Sequence, residues 1–162
     1  MNSCVFPGSF DPPTVGHMDL IRRAASIFDR VTVTVMINVR KKNVIPAETR
    51  IRILRKACAE FSNVRVERWD GLLADYMKEK RERIVLRGVR SVSEYMQEYD
   101  QAQINRTIWN GMETMLIFSD PALSSVSSSA VRELASFGGD ISTYIPAAVR
   151  EEIKYALSNK QV

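Results

Sequence analysis

The chain has 162 residues, 45% of them hydrophobic and 26% charged, so it is long enough for a sizeable core and has an ordinary globular composition. No apolar run approaches the ~20 residues of a membrane span, and the first residues lack a signal-peptide pattern, which argues against a membrane partner and favours the cytoplasm. The net charge of +4 suits an anionic small substrate as well as a nucleic acid, or simply a solvated surface. Cys4 and Cys58 lie far apart in apolar patterns, which favours two buried thiols over a disulfide or a metal site.

The first predicted strand, over 3–6, runs into a turn rich in glycine and proline that leads to a helix. Gly8 can adopt backbone angles that other residues avoid, and its missing side chain lets a ligand come close. Thr14 is of a type that caps helices, which places Gly16 and His17 in the first helical turn. Unpaired amides and the positive end of the helix dipole suit phosphate there, and His17 is the only histidine in the sequence.

Apolar periodicity predicts the remaining elements. They are a helix over 17–28, a buried strand over 31–37, a helix opened by Pro46 and closed by Asn63, an edge strand over 64–68, a short helix over 71–80, a strand over 83–87, a helix capped by Ser91 or Ser93 and running to about Trp109, a strand over 114–118, a helix over 127–137 and a C-terminal helix from Pro146. We expect Leu72, Leu73 and Tyr76 to face inward, and we expect Gly88 to end its strand.

Helices that alternate with strands indicate a parallel sheet with right-handed crossovers. The sequence therefore predicts an α/β fold, as a single Rossmann-like, doubly wound domain over 1–162. We expect five parallel strands in the order 3-2-1-4-5, helices on both faces and a C-terminal helical segment from about residue 146. The glycine fingerprint of dinucleotide-binding folds is absent, which argues against a nicotinamide enzyme.

In an open parallel sheet, ligands bind beyond the carboxyl ends of the strands. The residues that follow the predicted strands are Gly8, Ser9, Phe10 and His17, then Lys41, then Arg87 to Arg90, and then Ser119 with the serine-rich turn 124–129. Each feature has an alternative: a lone histidine at a helix start is more often structural, Lys41 alone suits a solvated loop, and serines alone suit a helix cap. Together, one imidazole, several cations and two helix N-termini at one rim favour a polyphosphate site.

These residues also carry a resemblance to a known family. Gly8-Ser9-Phe10-Asp11-Pro12 with Thr14-Val15-Gly16-His17 resembles the (Thr/His)-x-Gly-His signature of the nucleotidyltransferase superfamily. Further motifs resemble the phosphopantetheine adenylyltransferase family over essentially the whole chain, namely Lys41, Arg87-Gly88-Val89-Arg90, Glu98 and Val126-Ser127-Ser128-Ser129. The chain departs from the family pattern at Leu123-Ser124-Ser125, where an aromatic residue is often followed by a polar one, and at Pro13, where isoleucine is common.

The resemblance implies adenylyl transfer from ATP to 4′-phosphopantetheine, giving dephospho-coenzyme A and pyrophosphate in coenzyme A biosynthesis. It gives His17 the role of transition-state stabiliser, assisted by Lys41. Phosphopantetheine would contact Ser9, Lys41, Leu73 and Arg87, and ATP would contact Ser9, Phe10, His17, Gly88, Val89, Arg90, Glu98, Leu123, Ser124, Ser125, Val126, Ser127, Ser128 and Ser129. We expect Mg²⁺ to be carried mainly by the ATP phosphates, with no metal ligand assigned to a protein side chain.

The resemblance also implies a homo-oligomer, specifically a hexamer, and makes coenzyme A a candidate feedback inhibitor. An aromatic-rich stripe on the long helix agrees with an oligomer, and it is formed by Tyr95, Tyr99, Ala102 and Trp109. The stripe is equally suited to covering the sheet, so the two interpretations stay open at this point.

Three other functions are compatible with parts of the pattern. A nucleotidyltransferase of the same superfamily acts on another phosphate, such as nicotinate mononucleotide or glycerol phosphate, but the 87–90 motif and the three serines argue against it. A nucleic-acid-binding module needs basic residues interleaved with aromatic ones on one face, whereas here the cations sit at loop rims, so we expect no nucleic-acid partner. A nucleotide-binding regulator without catalysis fits poorly with an intact His17 and Lys41.

Overall fold

The computed structural model describes residues 2–37 and 42–159. The strands are β1 Ser3–Gly8, β2 Arg30–Met36, β3 Val64–Trp69, β4 Ile84–Val89 and β5 Glu113–Phe118. The α-helices are α1 Val15–Ile27, α2 Ala47–Ala57, α3 Leu73–Lys80, α4 Val92–Ile108, α5 Ser128–Ser136 and α6 Arg150–Ser158. Short 3-10 helices occupy Pro121–Leu123 and Ala147–Val149.

The five described strands form one sheet in which every pair is parallel and the order is β3-β2-β1-β4-β5. This confirms the predicted α/β fold and strand order. The winding reverses at β1, since β2 and β3 extend to one side and β4 and β5 to the other. The carboxyl ends of β1 and β4 are therefore neighbours, and the loops that leave them diverge around a crevice, the usual ligand site of such sheets.

The two faces of the sheet bury alternate residues of β1, because successive side chains of a strand point to opposite sides. On one face, Cys4 and Phe6 belong to a core cluster that includes residues of α1 and α2. On the other face, Val5 packs with Tyr76 and Met77 of α3. Both sides of the central strand are thus covered, and its position is fixed by apolar packing from two directions.

A separate apolar cluster joins the C-terminal helices to α2. It contains Ile53 and Ala57 of α2, Val131 of α5 and Ile153 of α6, all buried. This packing fixes α5, whose first residues reach the crevice, onto a helix that itself packs on the sheet.

Several local predictions fail. α2 ends at Ala57, six residues before the predicted end at Asn63. β4 continues through Gly88 for one more residue, so Gly88 does not end the strand. The glycine is needed for packing instead, because a Cβ atom there would lie 2.3 Å from Cδ1 of Leu20 on α1. Leu72 is 58% exposed because α3 begins only after it, whereas Leu73 and Tyr76 are covered as predicted.

Cys4 and Cys58 are buried free thiols, as the sequence predicts. Burial raises the pKa of Cys4 to about 12, with the charge of Glu82 acting in the same direction. Burial likewise raises the pKa of Cys58 to about 11. Neither thiol is therefore ionised at neutral pH, which suits a packing role. Among the described helices, none combines the length and apolar character that a membrane crossing requires.

Replacing Ile153 by alanine is expected to lower the free energy of unfolding by about 2–5 kcal/mol, because the side chain is fully buried in the cluster that joins α6 to α2. Urea denaturation followed by circular dichroism measures the change. Tyr155→Ala on the same helix is the matched control, since Tyr155 is 69% exposed and its loss should cost less than about 0.5 kcal/mol. Equal losses in the two variants would contradict this description of the cluster.

Candidate active site

A cleft of about 730 Å³ opens beyond the carboxyl ends of β1 and β4. Most of the residues that the sequence analysis places in the site line it, namely Ser9, Phe10, His17, Leu73, Arg87, Gly88, Arg90, Glu98, Leu123, Val126, Ser127, Ser128 and Ser129. Val89, Ser124 and Ser125 are not among the lining residues, and Val89 is buried within β4. Lys41 lies outside the described residues. The topology therefore brings residues from five separate segments to one place.

The turn after β1 holds His17 in one orientation. Thr14 caps α1, as predicted, and its Oγ1 accepts a hydrogen bond from the His17 backbone N–H at 3.3 Å. In return, the Thr14 backbone N–H donates to Nδ1 of the His17 ring at 3.0 Å. This is the reciprocal pattern of a capping box, with histidine in the position where glutamate or glutamine is common.

The Thr14 contact also determines the tautomer of His17. A backbone N–H can only donate, so Nδ1 accepts, and the neutral ring carries its proton on Nε2. Burial lowers the pKa of His17, the positive charges of Arg90 and Arg87 act in the same direction, and together they bring it to about 4. At neutral pH the ring is therefore an uncharged Nε2–H donor on the wall of the cleft.

Phe10 supports the imidazole from the side. Its ring centroid lies 5.0 Å from that of His17 in an edge contact and 5.7 Å from that of Phe6. Phe10 has a φ of +49° and so adopts the left-handed conformation, whereas Gly8, the residue of this turn best suited to it, has a φ outside that region. Gly8 instead accommodates Phe10, because a Cβ on Gly8 would lie 3.0 Å from the phenyl ring.

Arg87 of β4 extends across the crevice and is held at three points. Its Nε and Nη2 donate to the two carboxylate oxygens of Glu98 on α4, at 2.8 and 2.6 Å. Its Nη1 donates to the Pro7 carbonyl oxygen of β1 at 2.7 Å. The charge near the end of β4 thus has the partner that burial requires, and the bidentate pair with Glu98 fixes the plane of the guanidinium. Glu98, which the resemblance gives to ATP, contacts here the arginine that the resemblance gives to phosphopantetheine.

Arg90, which directly follows β4, is held in a similar way by Glu94, one turn before Glu98 on α4. It pairs with Glu94, whose carboxylate also accepts from the Arg90 backbone N–H at 2.9 Å. Hydrogen bonds from the Arg90 side chain lower the pKa of Glu94. Nη1 of Arg90 donates to the Val126 carbonyl oxygen at 2.8 Å, which connects β4 to the serine-rich segment. Both arginines are therefore oriented before any ligand binds.

The serine-rich segment forms the opposite wall of the cleft. Ser127 caps α5 by accepting from the Ala130 N–H at 3.0 Å, as the sequence predicts. Ser128 donates its hydroxyl to the Pro12 carbonyl oxygen at 2.7 Å, and Arg132 donates to the Asp11 carbonyl oxygen. The amino end of α5 is thus fixed against the turn that carries His17, and the two helix N-termini face the same space.

One wall of the cleft is not predicted from the sequence. The polar side chains Gln97, Gln101 and Asn105 of α4 line it, with the apolar residues Met36 and Ile104. Their sequence signal is a run of amide side chains every four residues, which one face of a helix presents together. Without the position of α4, that run is indistinguishable from a solvated helix face.

Comparisons with known proteins agree with this geometry. The family model described as cytidylyltransferase-like matches residues 5–134. A phosphopantetheine adenylyltransferase from Rubrobacter xylanophilus is 44% identical over 98% of this chain and 96% of its own length, and one from Streptomyces coelicolor is 43% identical over 99% and 100%. The crystal structure of a candidate nicotinate-nucleotide adenylyltransferase from Vibrio parahaemolyticus superposes with a TM-score of 0.70 at 19% identity, covering 99% of this chain and 98% of that one, and so shows a shared fold.

The sheet order, the cleft at its switch point and the family match define the class as a nucleotidyltransferase of the cytidylyltransferase-like type. Within this class, the identity of more than 40% to relatives matched over nearly their full length shows to which family the chain belongs. The chain belongs to the phosphopantetheine adenylyltransferase family, as the resemblance predicts.

The protonation of His17 can be observed directly, since the untagged chain has a single histidine. Long-range ¹H–¹⁵N spectra are expected to show a protonated Nε2 and no titration between about pH 5.5 and 8, because the pKa is lowered to about 4. In urea the same ring should titrate near its ordinary value of about 6.5. Between these two pKa values the unfolded chain binds a proton that the native one does not, so acid should destabilise the fold there. A native titration near pH 6.5 would contradict the enclosed, Thr14-bonded ring.

Proposed function

We propose that the chain transfers the adenylyl group of ATP to 4′-phosphopantetheine, releasing pyrophosphate and forming dephospho-coenzyme A. The observation that carries the proposal is the convergence of His17, Arg87, Arg90 and the amino end of α5 on one cleft in a member of this family. These groups are donors or cations, which suits a reaction between two phosphate-bearing substrates.

The chemistry needs positioning more than proton transfer. The phosphate of phosphopantetheine is already an anion at neutral pH, so it attacks the α-phosphorus of ATP without a general base. The P–O bond to pyrophosphate breaks as the new P–O bond forms, and negative charge spreads over the α-phosphate oxygens. A fixed donor that meets this charge lowers the barrier without reorganising.

His17 supplies such a donor in the form that the structure gives it. A neutral imidazole with its proton on Nε2 donates a hydrogen bond to an oxyanion and has no acidic proton to lose at neutral pH. The Thr14 N–H holds the ring from behind, so the donor direction is set before the substrate arrives.

The two arginines divide the cleft into half-sites. Arg87 lies between β1 and the face of α4 that carries Glu98, and we propose that it receives the phosphate of phosphopantetheine, with Leu73 beside the uncharged arm. Arg90 contacts Val126 at the serine-rich wall, and we propose that this side binds ATP. A phosphate bound at Arg87 takes over donors that now contact Glu98, so binding exchanges one charge-assisted pair for another.

Magnesium belongs to the same proposal. The carboxylates that line the cleft are Glu94 and Glu98, and each is engaged by an arginine. Among the described residues, no group of three or more histidine, cysteine, aspartate or glutamate side chains is arranged to hold a metal. This donor set suits an ion bound through ATP phosphates and water.

We also propose that the protein is located in the cytoplasm and is subject to feedback by coenzyme A, as the resemblance implies.

We propose further that the chain forms a homo-oligomer, with a hexamer expected from the resemblance. Tyr95 and Tyr99 of the predicted stripe are 43% and 49% exposed, so they do not cover the sheet. Ala102 and Trp109 are half-buried, and Trp109 packs against the core. Light scattering of dilute protein tests the assembly, and a stable 18.4 kDa monomer would reject it.

Substituting His17 by alanine is expected to lower turnover by about 10²–10³-fold and to change ATP affinity much less, since the donor acts on charge that develops in the transition state. The assay is pyrophosphate release from ATP and 4′-phosphopantetheine, with ATP affinity taken from calorimetric titration. Wild-type turnover combined with a raised ATP requirement would assign His17 to ground-state binding. A wild-type protein that uses nicotinate mononucleotide and ignores phosphopantetheine would refute the proposed acceptor.

Arg87→Ala is expected to weaken phosphopantetheine binding by about 10- to 100-fold and ATP binding far less, because a charge-assisted contact is lost in one half-site only. Calorimetric titration with each ligand separately measures both effects. Arg83→Ala is the matched control, since Arg83 precedes the same strand at the end remote from the cleft and is exposed. Loss of ATP affinity with intact phosphopantetheine affinity would reverse the assignment of the half-sites.

A further inference from the structure

Arg50 of α2 is a buried cation outside the cleft. It is 1% exposed and is the largest fully buried side chain in the described part of the chain. It does not line the cleft, so it touches no substrate there. A buried guanidinium is costly unless its donors are satisfied, and the groups that satisfy it therefore indicate what it does.

The partners of Arg50 are two backbone carbonyls from different loops. Nε donates to the Ile45 carbonyl oxygen at 2.9 Å, and Nη1 donates to the carbonyl oxygen of Ser9, which lines the cleft. Asp11 completes the network, since its carboxylate accepts from the N–H of Val44 at 2.7 Å and from that of Ile45 at 2.8 Å. Burial lowers the pKa of Arg50, and the negative charge of Asp11 opposes that shift.

The Ser9 carbonyl belongs to the peptide that joins Ser9 to Phe10, a residue with an unusual backbone conformation. In a planar trans peptide the C=O and N–H bonds point in opposite directions, so the Phe10 N–H points away from Arg50. Phe10 has a φ of +49°, a conformation that a bulky residue holds only when its surroundings impose it. The hydrogen bond from Arg50 is one such constraint, and it acts on the peptide bond between two cleft residues.

We infer that Arg50 is a positioning residue that fixes the Ser9–Phe10 peptide so that the Phe10 N–H faces the phosphate-binding cleft. This inference rests on the proposed function, because the cleft must receive phosphate. The alternative is that Arg50 only anchors α2 to the segment at Ile45, in which case the Ser9 contact has no effect on substrate binding.

Two measurements separate these roles. In wild-type protein labelled with ¹⁵N, titration with inorganic pyrophosphate is expected to move the Phe10 amide resonance strongly, since an N–H that faces the cleft meets the anion. In Arg50→Lys, which keeps the charge and loses the two-point contact, kcat/KM of the folded fraction should fall on the order of 10²-fold, as a misplaced binding group does, with the folded fraction taken from circular dichroism at the assay temperature. Arg52→Lys, exposed on the same helix, is the matched control and should match wild type in both respects.

The outcomes are distinguishable from those of the proposed function. A Phe10 amide that ignores pyrophosphate while Ser127–Ser129 amides respond overturns the positioning role, whether or not Arg50→Lys folds. Unchanged kcat/KM in a folded Arg50→Lys overturns it as well. A wild-type protein that binds pyrophosphate through Phe10 but does not adenylylate phosphopantetheine refutes the proposed reaction and leaves the role of Arg50 standing.

Discussion

The reciprocal hydrogen bonds between Thr14 and His17 are the constraint on which the site depends. They end the turn after β1, begin α1 and orient the imidazole in a single step. The helix needs the cap because its first amides are otherwise unpaired, and the ring needs the Thr14 N–H because an unfixed imidazole has two tautomers. A stability requirement of the helix and a chemical requirement of the site are thus met by the same pair of residues.

The rest of the cleft is organised by arginine side chains that reach between segments. Arg87 joins β4 to β1 and α4, Arg90 joins β4 to the serine-rich wall, and Arg132 joins α5 to the turn. Each of these guanidinium groups donates a hydrogen bond to a backbone carbonyl oxygen. Because the guanidinium is planar and always charged, such contacts hold orientation as well as position. The loops of the cleft are therefore held by long side chains that start within a strand or helix or directly beside one.

Much of this could be predicted from local patterns in the sequence. Buried β-branched runs, helix periodicity and the caps at Thr14 and Ser127 depend on neighbours along the chain, and the structure has them where expected. The errors occur where residues from elsewhere in the fold determine the local structure. Gly88 is needed because Leu20 packs against it, and Gly8 leaves space for the ring of Phe10, which has the left-handed conformation. The network around Arg50 and the amide wall of α4 were missed for the same reason, since nothing in the local sequence indicates which loop a long polar side chain will reach.

The two edges of the sheet carry different surfaces. Along β3 the exposed positions include Arg65 and Arg68, and charged side chains on an edge strand oppose the addition of another strand. Along β5 the exposed residues include Met115 and Phe118, which are 45% and 74% accessible and offer no such repulsion. In an isolated chain the β3 edge is therefore better protected against edge-to-edge association than the β5 edge, where the exposed charge is Glu113 at the first residue of the strand.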